Sequence, residues 1–268
     1  MKDLMESVIS LAKRAGEMML SEKPVISQYK GSDENYATET DVRIQEFLEK
    51  ELLSLLPGSS FMGEENHEYS KGELVWIVDP IDGTVNYARG LSMSVVSIAL
   101  VKDSRTVLGV VHNPYLSQTF HAERGKGSYL NDERIHVSDI GWEKALVSTA
   151  WCAYDKDLAH MSFKISERLH RECSDIRRFG TAAYEMCLLA KGSVEVYFEM
   201  LLRPWDYAAA NLIVEEAGGV CSSLDGPLDL FDQCAVLAAN SPENLERLKR
   251  SIKEESGDFH ASGSIWGD

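Results

Sequence analysis

Five consecutive apolar residues, Leu74–Val78 (LVWIV), run straight into the polar turn Asp79-Pro80-Ile81-Asp82-Gly83-Thr84. A short continuous apolar run of this kind reads as a buried strand. A buried strand needs a core around it, and 268 residues are ample to build one, as one large domain or two packed subdomains. With 44% hydrophobic and 26% charged residues, the chain has the balance of an ordinary folded protein.

The rest of the chain organises itself around that strand. Leu4, Val8, Leu11, Ala15 and Met18 recur at spacings of four and three, the stripe of an amphipathic helix that ends before Pro24. Residues 27–40 are polar and read as a mobile loop or a short hairpin. Ile44, Leu48, Leu52 and Leu55 mark a second helix, with Thr40 or Asp41 placed as its N-cap. Ser94–Val101 and Thr106–His112 predict a hairpin, and Gln118–Ala122 with Ser128–Leu130 another pair of strands about a turn. The first half is thus two helices followed by antiparallel strands. Beyond it, strands near 146–150, 175–179, 193–198 and 235–239 alternate with helices near 157–171, 181–191, 205–217 and 242–255, the pattern of an α/β layer. Ser241 and Pro242 make an N-cap and first helical residue. The reading gives an N-terminal α+β subdomain, 1–140, and a C-terminal α/β subdomain, 141–268, whose tail shows no periodicity.

Chemistry concentrates in Trp76–Gly90 (WIVDPIDGTVNYARG). The strand delivers Asp79 and Asp82 at its end. Pro80 stiffens the turn, Gly83 lets a ligand approach the backbone, and Thr84 adds a hydroxyl where a helix can start. An isolated Asp-Pro or Asp-Gly is an ordinary turn. Two acids, Pro, Gly and Thr directly after an apolar strand instead combine carboxylates for a cation with amides for an anion, the parts that metal-assisted phosphoryl transfer needs. Glu64 and Glu65 after Gly63, Asp41 in ATETD and Asp206 in RPWDYAAANLIVEEAGG each have a plainer reading, as solvated loop, helix cap and first-turn acid respectively. Together they make a set of acids in mostly apolar settings.

On these residues the chain resembles the inositol monophosphatase family of lithium-sensitive, magnesium-dependent phosphatases. One signature is Trp76-Ile77-Val78-Asp79-Pro80-Ile81-Asp82-Gly83-Thr84-Val85-Asn86-Tyr87, and a second is Trp205-Asp206-Tyr207-Ala208-Ala209 through Glu216-Ala217-Gly218-Gly219. Thr38-Glu39-Thr40-Asp41, Gly63-Glu64-Glu65 and Gly180-Thr181-Ala182 fall at the matching places. The resemblance implies a five-layer α-β-α-β-α sandwich and two or three Mg²⁺ ions. It places one ion on Glu64, Asp79 and the carbonyl of Ile81, and another on Asp79, Asp82 and Asp206. Asp41 and Glu64 lie by the attacking water or a third ion, and Thr84 orients that water. The amides of Gly83 and Thr84 take the phosphate; Asp82, Ala182, Glu199 and Asp206 face the alcohol, and Lys30 belongs to a closing loop. A homodimer and lithium inhibition follow from the same likeness. Two positions depart from it. Ala88 and Arg89 follow Asn86-Tyr87 where His is common, and Arg203 stands two residues before Trp205 as a candidate contact to a second phosphate.

A formal charge of -16 (27 basic against 43 acidic residues) opposes a nucleic-acid surface and would repel a phosphate dianion until divalent cations reverse the local field. The N-terminus has no signal-like apolar run and no stretch is long enough to span a membrane, so a cytoplasmic setting is expected. The five cysteines are odd in number and contain no CxxC pair, against disulfides or a zinc site. His112, His121 and His136, and the apolar pair Met186 and Cys187, read as structural. The substrate implied is a small phosphate monoester such as myo-inositol 1-phosphate. Alternatives are fructose 1,6-bisphosphate or NADP and, more remotely, a non-catalytic metal- or phosphoinositide-binding role.

Overall fold

The computed structural model describes residues 2–32, 35–65, 72–152 and 155–256; the tail at 257–268 lies outside the described residues. The chain begins with helix α1 (Lys2–Ser21), the hairpin β1 (Ile26–Ser32) and β2 (Asn35–Thr38), and helix α2 (Glu39–Leu55). A seven-stranded sheet follows. Its strands are β3 (Ser60–Gly63), β4 (Leu74–Asp82), β5 (Val95–Lys102), β6 (Arg105–Asn113), β7 (Gln118–Glu123), β8 (Gly127–Leu130) and β9 (Glu133–Ile135), in that order across the sheet. The short helix α3 (Thr84–Ala88) interrupts it after β4. The second sheet is built from β10 (Leu146–Thr149), β11 (Asp175–Arg177), β12 (Val196–Leu202), β13 (Val220–Ser222) and β14 (Cys234–Ala239), in the order β11-β10-β12-β14-β13. Between and around these strands lie α4 (Lys156–Glu172), α5 (Ala182–Ala190), α6 (Pro204–Glu216) and α7 (Pro242–Ser256).

These elements stack in five layers, the sandwich that the resemblance implies. Trp76 and Val78 of β4 point into a core with Val8, Leu11 and Ala15 of α1 and Ile44, Leu48 and Leu52 of α2. Val75 and Ile77, on the opposite face, enter a central core with Ala183, Met186 and Cys187 of α5 and Ala209, Leu212 and Ile213 of α6. Both faces of β4 are covered, so its sequence is apolar without alternation. β12 behaves likewise. Tyr197 faces the central core, while Val196, Phe198 and Met200 face a third core with Ile165 and Leu169 of α4 and Leu248 and Ile252 of α7. α5 and α6 are pressed between two sheets, so they are apolar around most of their circumference, as a helix buried on every side must be.

The approach of α6 to the first sheet depends on Gly109 of β6. A Cβ there would lie 2.7 Å from the carbonyl oxygen of Ala209 and 3.2 Å from its Cα, both backbone atoms unable to swing aside. Thr106 Oγ1 donates to the carbonyl of Ala208 at 3.1 Å and Ser97 Oγ to that of Trp205 at 3.3 Å, so the sheet grips the same helix by its backbone. Overpacking of this kind costs about 1–3 kcal/mol. Gly109→Ala is therefore expected to lower the thermal midpoint by about 2–12 °C. Unchanged melting in a calorimetric scan would refute this close packing.

Two local expectations need correction, and a third resolves into one of its two forms. The N-cap of α2 is Thr38, not Thr40 or Asp41: the Asp41 amide bonds to Thr38 Oγ1 at 3.4 Å, and Asp41 Oδ2 accepts the Thr38 N–H at 2.8 Å. This reciprocal capping box explains why a serviceable cap residue appeared two positions too late. The stretch 27–40 is mostly the hairpin β1–β2, the second of its two expected forms. The first sheet is not wholly antiparallel, because β3 pairs in parallel with β4. Its four residues give too short a pattern to read. At α7, Ser241 Oγ accepts the Asn244 N–H at 3.2 Å, as its place before Pro242 predicts.

Candidate active site

Asp79 and Asp82 are three residues apart, a spacing that puts side chains on opposite faces of a regular strand. β4 is not regular there. Asp79 pairs with Ser97 and Asp82 with Val95, so β4 carries one extra residue across the Pro80 turn. The bulge brings both carboxylates to one cavity of about 660 Å³. Gly83 then turns the chain into α3 with φ of 86°, and a Cβ there would stand 3.1 Å from the carbonyl oxygens of Gly180 and Met93. Both its conformation and its surroundings favour glycine.

Glu64 at the end of β3, Asp79 and Asp82 on β4, and Asp206 on α6 all line this cavity, with Ile81, Gly83, Thr84, Ala182, Glu199 and Arg203. The four acids come from three segments, spread from Glu64 to Asp206, and meet at one place. Asp206 is third in α6, and its Oδ2 accepts the Arg203 N–H at 2.7 Å, which fixes the side chain at the helix start. Asp41 does not line the cavity. It is fully buried behind Thr84, whose hydroxyl lies 3.2 Å from Asp41 Oδ1 and 3.1 Å from the carbonyl of Ile81. Lys30 lies in β1, and its side chain is outside the described residues.

The electrostatics are one-sided. Burial raises the carboxyl of Asp79 well above the usual carboxylate range, and Glu64, Asp82, Asp206 and Asp41 push it further the same way. Burial, then Glu64 and Asp82, raises Asp206. Asp82 rises only to about 6, because three donors offset its burial: the Thr181 hydroxyl at 2.6 Å and the amides of Ala182 and Ala183 at 3.2 and 2.8 Å. Burial takes Asp41 to about 7 and Glu199 to about 8; the Tyr197 hydroxyl bonds to Glu199 at 2.9 Å. Such a concentration of mutually repelling buried acids is the mark of a functional site rather than of a stabilising one.

The donor chemistry fits a hard divalent cation. The side chains are carboxylates, the Ile81 carbonyl stands beside them, and no thiolate or imidazole is required. Among the described residues, no three His, Cys, Asp or Glu side chains form a ready-made metal shell. The fit therefore rests on donor type and on a shared cavity. The histidines are remote from it in role: His112 is buried against Thr119 Oγ1 at 3.0 Å, and burial lowers it to about 4. Cys187 and Met186 are central-core residues, as expected.

Three residues in or behind the cavity escaped the sequence reading. Thr181 and Ala183 hold Asp82 from a hundred residues away, and only the short Gly180-Thr181-Ala182 match hinted at them. Arg178 lines the cavity with its guanidinium over the Trp151 ring, 5.3 Å from the centroid. With Arg89 and Arg203 it adds three exposed cations to a cavity whose floor is acidic.

Comparison with known proteins gives the same family throughout. The Inositol monophosphatase family matches residues 1–256. The Vibrio cholerae Nus factor SuhB is 32% identical over 261 residues, 95% of this chain and 97% of that protein. Human inositol monophosphatase 1 is 31% identical, over 94% of this chain and 95% of its own length. The crystal structure of the extragenic suppressor protein suhB from Bartonella henselae superposes with a TM-score of 0.87 at 31% identity, covering 94% of this chain and 99% of that one.

Proposed function

The chain belongs to the inositol monophosphatase family, and on that premise we propose that it is a Mg²⁺-dependent hydrolase of small phosphate monoesters, with myo-inositol 1-phosphate as substrate. The observation that carries this reading is the convergence of Glu64, Asp79, Asp82 and Asp206 on one cavity beside the Thr84 hydroxyl. Glu64, Asp79 and the Ile81 carbonyl would hold one ion, and Asp79, Asp82 and Asp206 another. When bound, the ions supply Lewis-acid charge for the phosphate and lower the pKa of water.

The protein's own groups have separate tasks. Thr84 has one proton and two acceptors within reach. Donating to Asp41 Oδ1 leaves its lone pairs to accept a proton from a water and so orient it. A proton leaving that water would pass to Thr84 Oγ1 as the hydroxyl's own proton passes to Asp41 Oδ1, so Asp41 would act through Thr84. The amides of Gly83 and Thr84 would bind phosphate oxygens, and Ala182, Glu199 and Asp206 would face the alcohol. In-line attack needs no covalent nucleophile. We carry as parts of the same reading the subdomains 1–140 and 141–268, supported by the two sheets, a homodimer and a cytoplasmic setting. Among the described residues no helix is long and apolar enough to cross a membrane.

Arg89, Arg178 and Arg203 favour one second reading, a substrate with a further anionic group such as fructose 1,6-bisphosphate or NADP. Phosphate release in Mg²⁺ from inositol 1-phosphate, fructose 1,6-bisphosphate and NADP decides between them. The highest kcat/KM is expected on inositol 1-phosphate, with inhibition by millimolar lithium. Preference for either other substrate selects the second reading. Protein that binds Mg²⁺ yet releases phosphate from none of the three would be a non-catalytic binder.

A further inference from the structure

Glu185 is a charged residue inside the otherwise apolar helix α5 (AAYEMCLLA), 1% exposed, and the mechanism above does not use it. Its Oε1 accepts three successive backbone N–H groups, from Phe179 at 3.1 Å, Gly180 at 2.7 Å and Thr181 at 3.4 Å. Its Oε2 accepts the hydroxyl of Ser148 on β10. The loop gathered this way is the one that grips Asp82, through the Thr181 hydroxyl and the amides of Ala182 and Ala183. The carbonyls of Phe179 and Gly180 accept Asn86 Nδ2 at 2.7 and 3.2 Å, which ties the same loop to α3.

We propose that Glu185 is a positioning residue, whose carboxylate folds the 179–181 backbone and so sets the orientation of Asp82 in the cavity. Three neighbouring N–H groups directed at one oxygen would repel one another without an acceptor, and buried donors without partners are costly. One carboxylate oxygen converts them into a fixed turn, which presents Thr181 and the next two amides to Asp82. Glu185 therefore reaches the cavity through two shells of hydrogen bonds while touching no reacting atom. Outer-shell partners of this kind are worth about 10–100-fold in metal affinity or activity.

The inference rests on the hydrolase reading, and the test separates the two. Mn²⁺ binding, followed by the electron paramagnetic resonance of the free ion, is measured with phosphate release and amide hydrogen exchange of 179–183. The proteins are wild type, Glu185→Leu and Glu185→Gln. Leu offers no acceptor, whereas Gln retains a carbonyl oxygen where Oε1 stands. Glu185→Leu is expected to weaken Mn²⁺ binding about tenfold and to lower kcat about 30-fold with KM within about threefold, with faster exchange at 179–183. Glu185→Gln is expected to recover both to within about threefold of wild type. A Leu variant that melts lower but keeps wild-type Mn²⁺ affinity and kcat would overturn the proposal, as would a Gln variant no better than Leu. If Glu185→Leu does not fold, Ser148→Ala replaces it. That variant frees only Oε2, so Mn²⁺ affinity should stay within about threefold, and a tenfold loss would show that Oε1 is not the organising atom. Wild-type protein that neither binds Mn²⁺ nor releases phosphate would instead refute the hydrolase reading.

Discussion

Asp79→Asn is expected to reduce phosphate release by at least about a thousandfold while raising the melting temperature of the metal-free protein. Both effects come from the same position. Asp79 is the one acid assigned to both proposed ions, so its neutral replacement removes the charge that each depends on. Losses of about 10²–10³ are usual for a single electrostatic group at a reaction centre, and here two ions are affected. Without ions, Asp79 is a buried acid raised by its own burial and by Glu64, Asp82, Asp206 and Asp41. Asn keeps the shape. Its Oδ1 can still accept the Ile81 N–H that Asp79 holds at 2.9 Å, and its amide N–H₂ can donate where Oδ2 is now repelled. Relief of such strain gives about 0.5–2 kcal/mol, a few degrees for a chain of this size. Thermal unfolding in EDTA at neutral pH, run beside a turnover assay, reads both. A variant that melts lower in EDTA and turns over at the wild-type rate would sink the account of this cavity.

That opposition between activity and stability also explains which parts of the molecule were legible in its sequence. Layers with one wet face show a stripe: α1 displays Val8, Leu11 and Ala15 inward, and its extent was readable within a few residues. Layers covered on both faces lose their periodicity, yet they betray themselves by lacking it, as LVWIV on β4 and the alanine-rich α6 do. The acids were visible because a carboxylate beside such a run has no packing reason to be there. What could not be read was how distant segments meet. The partners of Asp82 lie at 181–183, and the bulge that turns Asp79 and Asp82 to one side appears only in the pairing with β5. Glu185 carried a signal of the same type as the other acids, a charge within an apolar helix, but no neighbouring motif gave it a role. Thr38 is hidden as a cap because Thr40 and Asp41 offer the same chemistry two and three residues on.

In EDTA the protein is expected to lose stability as pH rises from about 5 to 8, and Mg²⁺ is expected to restore more of it at pH 8 than at pH 6. The sign follows from the direction of the shifts. Asp41 and Glu185 stand near 7, Asp82 near 6 and Glu199 near 8, and Asp79 and Asp206 are well above their ordinary value. Unfolded, the same groups titrate near 3.8 for Asp and 4.5 for Glu. Between the two sets of values the folded chain holds more protons than the unfolded one. The stabilisation is therefore complete below about pH 4 and is lost as pH climbs through 6 to 8. Divalent ions act in the opposite direction, because they bind the deprotonated ligands and only in the folded chain. At a hundred times its dissociation constant an ion adds about 2.7 kcal/mol, which offsets part of that loss. Melting temperatures in EDTA and in Mg²⁺ at pH 6, 7 and 8 give the comparison directly. A melting temperature in EDTA that climbs across this range, or a Mg²⁺ increment that does not grow with pH, would mean that the buried acids are neither the source of the instability nor the ligands that relieve it.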